Sequence, residues 1–458
     1  MAIGTVACLA LPWAMPARGE TLAQALIEAY RNNPSLNSQR AAVRATDEGV
    51  PQALSGYRPR ISLTATGGDQ SVSTTTKVAG RHVTTAGNDQ ILSAGATITQ
   101  NLFNGFQTSN KTREAESQVL SARATLQSTV QTVLLNGVTA YMNLLRDSAI
   151  LDLQKRNVEV LQEQLRQTRD RFNVGEVTRT DVAQAESRLA AARSQALSAE
   201  ANYKASAATY RQVIGSNPSR LSPGTPVDRF SPHTLNAAIS TGITVNPSVL
   251  SAEYNADAAQ LAVKVAEGSL LPTVSVSGNF TDNITGYTGS LSIARGYQAS
   301  VLGTVSVPIY QGGAEYSLIR QAKETLGQKR LDLDTARDQV RQNVVQAWGQ
   351  LDAAKANIDA TQAQVQASEI ALNGVREEAR VGQRTTLDVL NAQQELVNAR
   401  VALVTAQRDR VVASYTLLSA VGRLSPRVLG LRVPIYDATV HYRQVRDAWA
   451  GTRNPDGR

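Results

Sequence analysis

The stretch VGEVTRTDVAQAESRLAAAR, residues 174–193, returns as VGQRTTLDVLNAQQELVNAR, residues 381–400. Each copy reads as the end of one helix, a tight turn and the start of another. Gly175 and Gly382 can supply the left-handed backbone that ends a helix. Thr178 and Thr385 are then N-caps, with Asp181 and Asp388 three residues on in the box position, near the positive helix end. Beyond the cap, apolar and small residues step by three and four: Val182, Ala185, Leu189, Ala192, Ala196, Ala199, Tyr203. The second copy steps through Val389, Ala392, Leu396, Ala399, Leu403 and Ala406. That is a heptad signal, and alanine at half the seam brings helices close. A turn this short requires antiparallel neighbours, so each copy is the tip of a coiled-coil hairpin.

Outward from the tips, the whole chain repeats. TLAQALIEAYRNNP (21–34) matches TLNAAISTGITVNP (234–247), Pro59 matches Pro272, and Leu102-Phe103-Asn104-Gly105 matches Ile309-Tyr310-Gln311-Gly312. A duplicated unit of about 210 residues is far longer than solenoid periods, which favours two large halves side by side. The expected organisation is 20–233 for the first repeat, 234–424 for the second and 425–458 for a C-terminal segment. Strand hairpins fall at about 59–103 and 272–310, and helical tips at about 172–181 and 379–388.

Within the first repeat, Thr21 caps a helix over Leu22–Arg31, Asn33-Pro34 breaks it, and a second helix is expected from about Ser35 to Ser55. Gly56 and Pro59 end the helical pattern. ISLTATGGDQSVSTTT (61–76) is polar, small and weakly alternating, followed by an expected polar loop holding Lys77, Arg81 and His82. ILSAGATITQNLF (91–103) returns and closes at Asn104-Gly105. The second repeat offers TVSVSGNFTDNITGYTG (273–289) and QASVLGTVSVPIYQGG (298–313), in which Pro308 marks a strand end because proline cannot donate to a ladder. Gly and Thr alternating with Leu, Val and Ile suit a barrel with one wet face, whose spanning strands need about 9–11 residues. Four strands cannot close a barrel, and open edges are costly in lipid, so several chains must share a wall. From Gly105 to Phe172 the chain has 68 residues without proline and only Gly137 as an internal glycine. Fully helical, such a stretch would be about 100 Å long.

Composition agrees with elongated helices rather than wide cores. Aromatics are 5% of the 458 residues, and the formal charge of +8 is spread along the chain as alternating basic and acidic residues. No basic patch with interleaved aromatics argues for nucleic acid as a partner. Ala2–Ala14 form an apolar run broken by Pro12, followed by Ala17-Arg18-Gly19, so residues 1–19 read as the remnant of a secretory signal peptide. The only cysteine, Cys8, falls in this run, where a lipid-anchor reading of Thr5-Val6-Ala7-Cys8 is the alternative.

The tips also invite a functional reading. In a three-fold assembly Asp388 would recur as a ring that gates the bore or holds an inhibitory cation. Like charges so arranged repel, and need counter-charges such as Arg384 or a bound cation.

The paired tip motifs FNVGEVTRTDV and ARVGQRTTLDVLNAQ, the NNP and VNP breaks, Pro59 and Pro272, and the LFNG and IYQGG strand exits resemble the TolC family of outer membrane efflux proteins, from Thr21 to about Gly451. The resemblance implies an α+β membrane channel: a homotrimeric 12-stranded β-barrel in the outer membrane of a Gram-negative bacterium, continued by a long periplasmic α-helical barrel. It implies a periplasmic adaptor and an inner-membrane transporter of the RND or ABC type as partners. Outer membrane lipid would surround the barrel, and small toxic compounds or an exported polypeptide would be cargo, in multidrug efflux or type I secretion. It places Arg384 in the set locking the closed entrance, with Thr180 and Asp181 on the facing helix turn, and Asp388 at the first acidic position of the constriction. The second acidic position is Asn391 here, and an aromatic before the second tip is Ala379. Val174, Gly175, Thr178, Val381, Gly382 and Thr385 would meet the adaptor. The C-terminal stretch VLGLRVPIYDATVHYRQVRDAW (428–449) resembles the family's equatorial segment, where His441 and Tyr442 would pack, and the tail GTRNPDGR is expected to be disordered.

Nothing points to catalysis or a cofactor. His82, His233 and His441 lie far apart, two of them in expected loops, GxSxG is absent, and Gly312-Gly313 lacks a following lysine–serine pair. The rival reading is a non-channel structural or adhesive coiled-coil envelope protein. It accounts for the heptads but not for two strand hairpins at equivalent points of a duplication.

Overall fold

The computed structural model describes residues 19–287 and 293–455. The stretch through Arg18, expected from sequence to be a signal-peptide remnant and including Cys8, lies outside the described residues, as do the last three residues of the tail. The described part of that tail, 451–455, is exposed and forms neither helix nor strand.

The chain packs as two units. One holds the residues up to Ser38, Gln127–Asn246 and Gln339–Ile435; the other holds Gln39–Leu126, Pro247–Asp338 and Tyr436 onward. Each unit draws equivalent pieces from both sequence repeats.

The unit holding Gln39–Leu126 contains one antiparallel sheet in the order β1 (Arg60–Val78), β2 (Arg81–Asn104), β3 (Thr273–Tyr287), β4 (Ile293–Ser306). Pro59 and Pro272 precede their strands and Pro308 follows its own, where a missing N–H costs no ladder bond. The register sorts most side chains by polarity, because successive residues point to opposite faces. One face is apolar: Ile61 lies beside Ile98, Leu63 beside Ala96, Phe280 beside Ala299 and Val274 beside Val305. Leu63 and Val301 on it are each 81% exposed. The other face is Ser62, Thr64, Thr66, Thr97, Asn279, Ser300 and their neighbours.

Two sequence expectations are corrected here. β1 and β2 are 19 and 24 residues long, and Lys77 and Arg81 do not sit in a loop: Lys77 pairs with His82 and Val78 with Arg81. The turn is only Ala79-Gly80, with φ of 47° and 84°, the left-handed pair that a two-residue hairpin demands. The outer part of this ladder is mostly polar, with Val72, Val78 and Val83 among its polar residues, so no sustained alternation betrays it. The second helix likewise does not run unbroken from Ser35 to Ser55. It divides into α2 (Pro34–Asp47) and α3 (Gly49–Leu54), followed by a short 3-10 turn. Pro51 is the reason: it has no N–H for the Asp47 carbonyl, and its ring crowds that turn.

Also in this unit, α7 (Pro247–Gly268) leads into β3, and the C-terminal segment carries α10 (Thr439–Val445). Val50, Ala115 and Val119 form a small core with Tyr442 packed on it. Three guanidinium–ring contacts pin the C-terminal segment: Arg40 over Tyr436, Arg123 over Tyr442 and Arg58 over Trp449, at 4.9–5.3 Å. His441 is buried against Asp47, a packing role as expected.

The other unit contains α1 (Leu22–Asn32), capped by Thr21 with a full capping box to Gln24, and α6 (Leu235–Val245), capped by Thr234. Its main elements are two helical hairpins. The first joins α4 (Gln107–Asn173) to α5 (Arg179–Ile214), the second α8 (Ala314–Arg380) to α9 (Thr386–Ala420). Both α4 and α8 are 67 residues long and continue into the first-described unit. Of the heptad positions, Ala185, Leu189, Ala192, Ala199, Val389, Leu396, Ala399 and Ala406 are buried. Leu161 and Leu165 of α4 pack on Ala185, Leu189 and Leu390, so the seam of one hairpin reaches the other. Gly137 lets α1 come close to α4: a Cβ there would lie 3.0 Å from the Leu26 side chain. Among the described residues no helix is long and apolar enough to cross a membrane.

Candidate functional site: the paired helical tips

Both tips are built the same way. Gly175 and Gly382 have φ of 82° and 81° and close α4 and α8 with paired amide bonds. Glu176 N donates to the Arg171 carbonyl and Gly175 N to that of Phe172, as Gln383 N does to Glu378 and Gly382 N to Ala379, the double closure of a Schellman turn. The Thr178 hydroxyl accepts from the Asp181 amide while the Asp181 carboxylate accepts from the Thr178 amide at 2.9 Å and from its hydroxyl at 2.7 Å. Thr385 and Asp388 repeat this at 2.9 and 2.8 Å. The two carboxylates are consequently held below the usual carboxylate range: Asp181 by the Thr178 hydroxyl and then its amide, Asp388 by the Thr385 amide and then its hydroxyl.

Each turn is also braced by an ion pair, with the charges exchanged between repeats. Arg171 pairs with Glu176 at 3.0 Å in the first tip. Glu378, which the repeat aligns with Arg171, pairs with Arg384 at 2.9 Å in the second. Arg384 is thereby engaged within its own hairpin. Asn391 is gripped across the hairpins by Arg188, Nη2 to Oδ1 2.7 Å. Arg376 of α8 donates to Gln393 of α9 at 3.1 Å.

The tips share one cleft of about 1000 Å³, lined by Thr178, Asp181, Gly382, Arg384 and Thr385 among the residues singled out from sequence, with Ala379 beside them. Thr180, Asp388 and Asn391 are not among its lining residues. Val174 and Val381 stand 71% and 70% exposed, one on each turn. Sequence reading missed Arg171, Glu176, Glu378 and Arg188. The first three flank the turn glycines within six residues and were legible as opposite charges bracketing a turn. Arg188 meets a partner 203 positions away and gave no local signal.

The caps carry a measurable consequence. Thr178→Ala or Thr385→Ala is expected to speed amide exchange in its own tip roughly fivefold, the size of a lost N-cap, and leave the other tip unchanged. Because both box carboxylates titrate low, tip protection should be complete above the ordinary carboxylate pKa and fall as pH drops through the lower folded-state value. Intrinsic-rate-corrected exchange that already accelerates between pH 7 and pH 5 would contradict this assignment.

Comparison with known proteins now has a geometry to meet. Residues 25–216 and 239–423 match the family described as outer membrane efflux protein, one stretch in each repeat. The chain is 43% identical over 444 residues to outer membrane efflux protein BepC of Brucella suis, covering 96% of this chain and 94% of that protein. It is 28% identical to outer membrane protein TolC of Escherichia coli over 90% of this chain and 84% of the relative. Among solved structures, the CmeC outer membrane channel of Campylobacter jejuni superposes with a TM-score of 0.76 at 18% identity, covering 98% of this chain and 97% of that one. The apolar-faced sheet, the duplicated helical hairpins and these matches agree: the chain belongs to the outer membrane efflux protein family, the TolC-like channels of the Gram-negative outer membrane.

Proposed function

We propose that three copies form a passive exit duct in the outer membrane, taking cargo from an inner-membrane pump through a periplasmic adaptor. The observation that carries this reading is the four-stranded sheet, which has one apolar and one polar face and leaves β1 and β4 with unpaired edges. In lipid an open edge strands backbone N–H and C=O groups at several kcal/mol each, and pairing β4 of one copy with β1 of the next removes every edge. Twelve strands with a Ser/Thr/Asn-lined interior make a water-filled pore. The chain's part is conduction rather than catalysis, with energy supplied by the RND or ABC-type partner. The relatives include both the toluene efflux pump outer membrane protein TtgC and the alkaline protease secretion protein AprF, which supports small compounds and polypeptides alike as cargo.

In this reading the exposed tips are the adaptor contact and Asp388 is the constriction. Thr385 occupies one carboxylate oxygen of Asp388, leaving the other for a divalent cation shared among three copies. Asn391, held by Arg188, adds no second acidic ring. Planar-bilayer recordings of the purified protein test the reading. Small currents blocked by a divalent cation are expected, with Asp388→Ala raising the half-blocking concentration at least about tenfold. Block that survives the mutation removes Asp388 as the cation site, and absence of current from a folded trimer removes the duct.

A further inference from the structure

The lumen-facing side of the sheet carries a single ionisable group where it begins. Arg60 is the first residue of β1 and pairs with Thr99 with no bulge between it and Ser62, so its side chain belongs to the polar face. From the Arg60 row to the Thr66 row that face holds Ser62, Thr64, Thr97, Asn279, Thr281 and Gln298 with their equally uncharged neighbours. Among the described residues, the strand ion pair Asp282–Arg295 lies on the opposite, mainly apolar face. Arg60 is exposed, and no acidic side chain among the described residues pairs with it. Arg58, two residues earlier, donates instead to the Ala448 carbonyl and lies over the Trp449 ring. The repeat makes the contrast sharper, because the residue aligned with Arg60 in the second hairpin is Thr273.

We infer that Arg60 forms an anion-binding ring in the assembled barrel, at the end remote from the Ala79-Gly80 turn, which gives the pore a preference for multivalent anions. The inference rests on the three-copy duct proposed above. Three guanidinium groups on one axis repel one another and gain from a shared counter-charge, and a lining of hydroxyls and amides offers them none. β4 of the neighbouring copy, which would border β1, brings only Ser306, Thr304, Leu302, Ser300 and Gln298 to that face, so closure supplies no carboxylate either. Guanidinium presents a planar fork of donors suited to carboxylate, phosphate and sulfonate groups, so solutes bearing two or more of these are the matching class.

The test is block of bilayer current by ferricyanide, a trivalent anion, added separately to each side of the membrane. Arg60→Gln is expected to raise the half-blocking concentration about tenfold, Arg60→Lys to stay within about threefold of the wild type, and Thr273→Arg to lower it by enlarging the ring. Conducting Arg60→Gln trimers blocked at the wild-type concentration would overturn the ring and leave the duct standing. A protein that purifies as a monomer, or as a trimer without current, overturns the duct and the ring with it.

Discussion

Alanine at Gly105 is expected to prevent the strand-to-helix junction from forming, whereas alanine at Gly312, its counterpart in the repeat, is expected to be tolerated. Both glycines follow a strand exit and both have left-handed backbone, with φ of 63° and 74°. Their surroundings differ. A Cβ on Gly105 would lie 2.2 Å from the Gly268 carbonyl oxygen and 2.9 Å from the Leu271 side chain, while nothing lies within 4 Å of one on Gly312. The approach is reciprocal, since a Cβ on Gly268 would lie 2.5 Å from the Gly105 carbonyl oxygen. The obstacle is backbone, which cannot swing aside as a side chain can. Positive φ alone costs an alanine about 1 kcal/mol, the whole expected loss at Gly312. At Gly105 the forced separation of two backbone segments adds a further ~2–3 kcal/mol or more. Thermal unfolding followed by circular dichroism in detergent should show a large drop for Gly105→Ala and a small one for Gly312→Ala. Equal melting of the two variants would show that the Gly105–Gly268 contact is not what holds the junction.

Removing Asp47 is expected to loosen the C-terminal segment. Its side chain is fully buried, with Oδ2 3.2 Å from His441 Nδ1 and Oδ1 3.7 Å from Arg123 Nη2. Tyr442 lies against the same guanidinium, and Glu48 reaches the far nitrogen of His441 at 3.9 Å. Asp47→Ala takes from His441 Nδ1 and from Arg123 the buried carboxylate between them, leaving only the more distant Glu48 and the Tyr442 ring, a change of about 3 kcal/mol when one member of a buried pair is deleted. Cleavage after Arg443 or Arg446 by trypsin should then be much faster than in the wild type. Asp47→Asn keeps shape and a hydrogen bond to His441, so its tail should stay protected.

The pH dependence of this pair has a definite sign. Burial, outweighing His441 and Arg123, raises the Asp47 carboxyl above its ordinary 3.8. A raised folded-state value means that the native protein holds this proton more tightly than the unfolded chain does. The resulting stabilisation is complete below the ordinary value and is lost as pH rises through the folded one. Wild type should therefore gain on Asp47→Asn as pH falls from 7 to 4. A difference in melting temperature that does not change with pH would show that Asp47 pays no net ionisation penalty.

What could be read from the chain alone was local in its physics. The caps at Thr178 and Thr385, the left-handed Gly175 and Gly382, and the heptad through Leu189 and Leu396 depend on neighbours three to seven residues away, and the structure holds them as read. The duplication and the proline punctuation placed the four strands in their order. Pro51 was just as local a signal, and its break of the second helix shows that a missing amide outweighs an otherwise continuous helical pattern. Pairing over long separations was invisible. The ladder carrying Lys77, His82 and Arg81 is mostly polar, with no sustained alternation, so only its partner strand identifies it. Asp47 meets His441 across 394 residues, and Arg188 meets Asn391 across 203. The division is physical: sequence by itself determined those elements whose stabilising contacts are made within a turn or two of chain. Tertiary structure alone decided which strand partners make one face of the sheet mainly apolar, which carboxylate is buried, and that Arg60 lies on the polar face of the sheet.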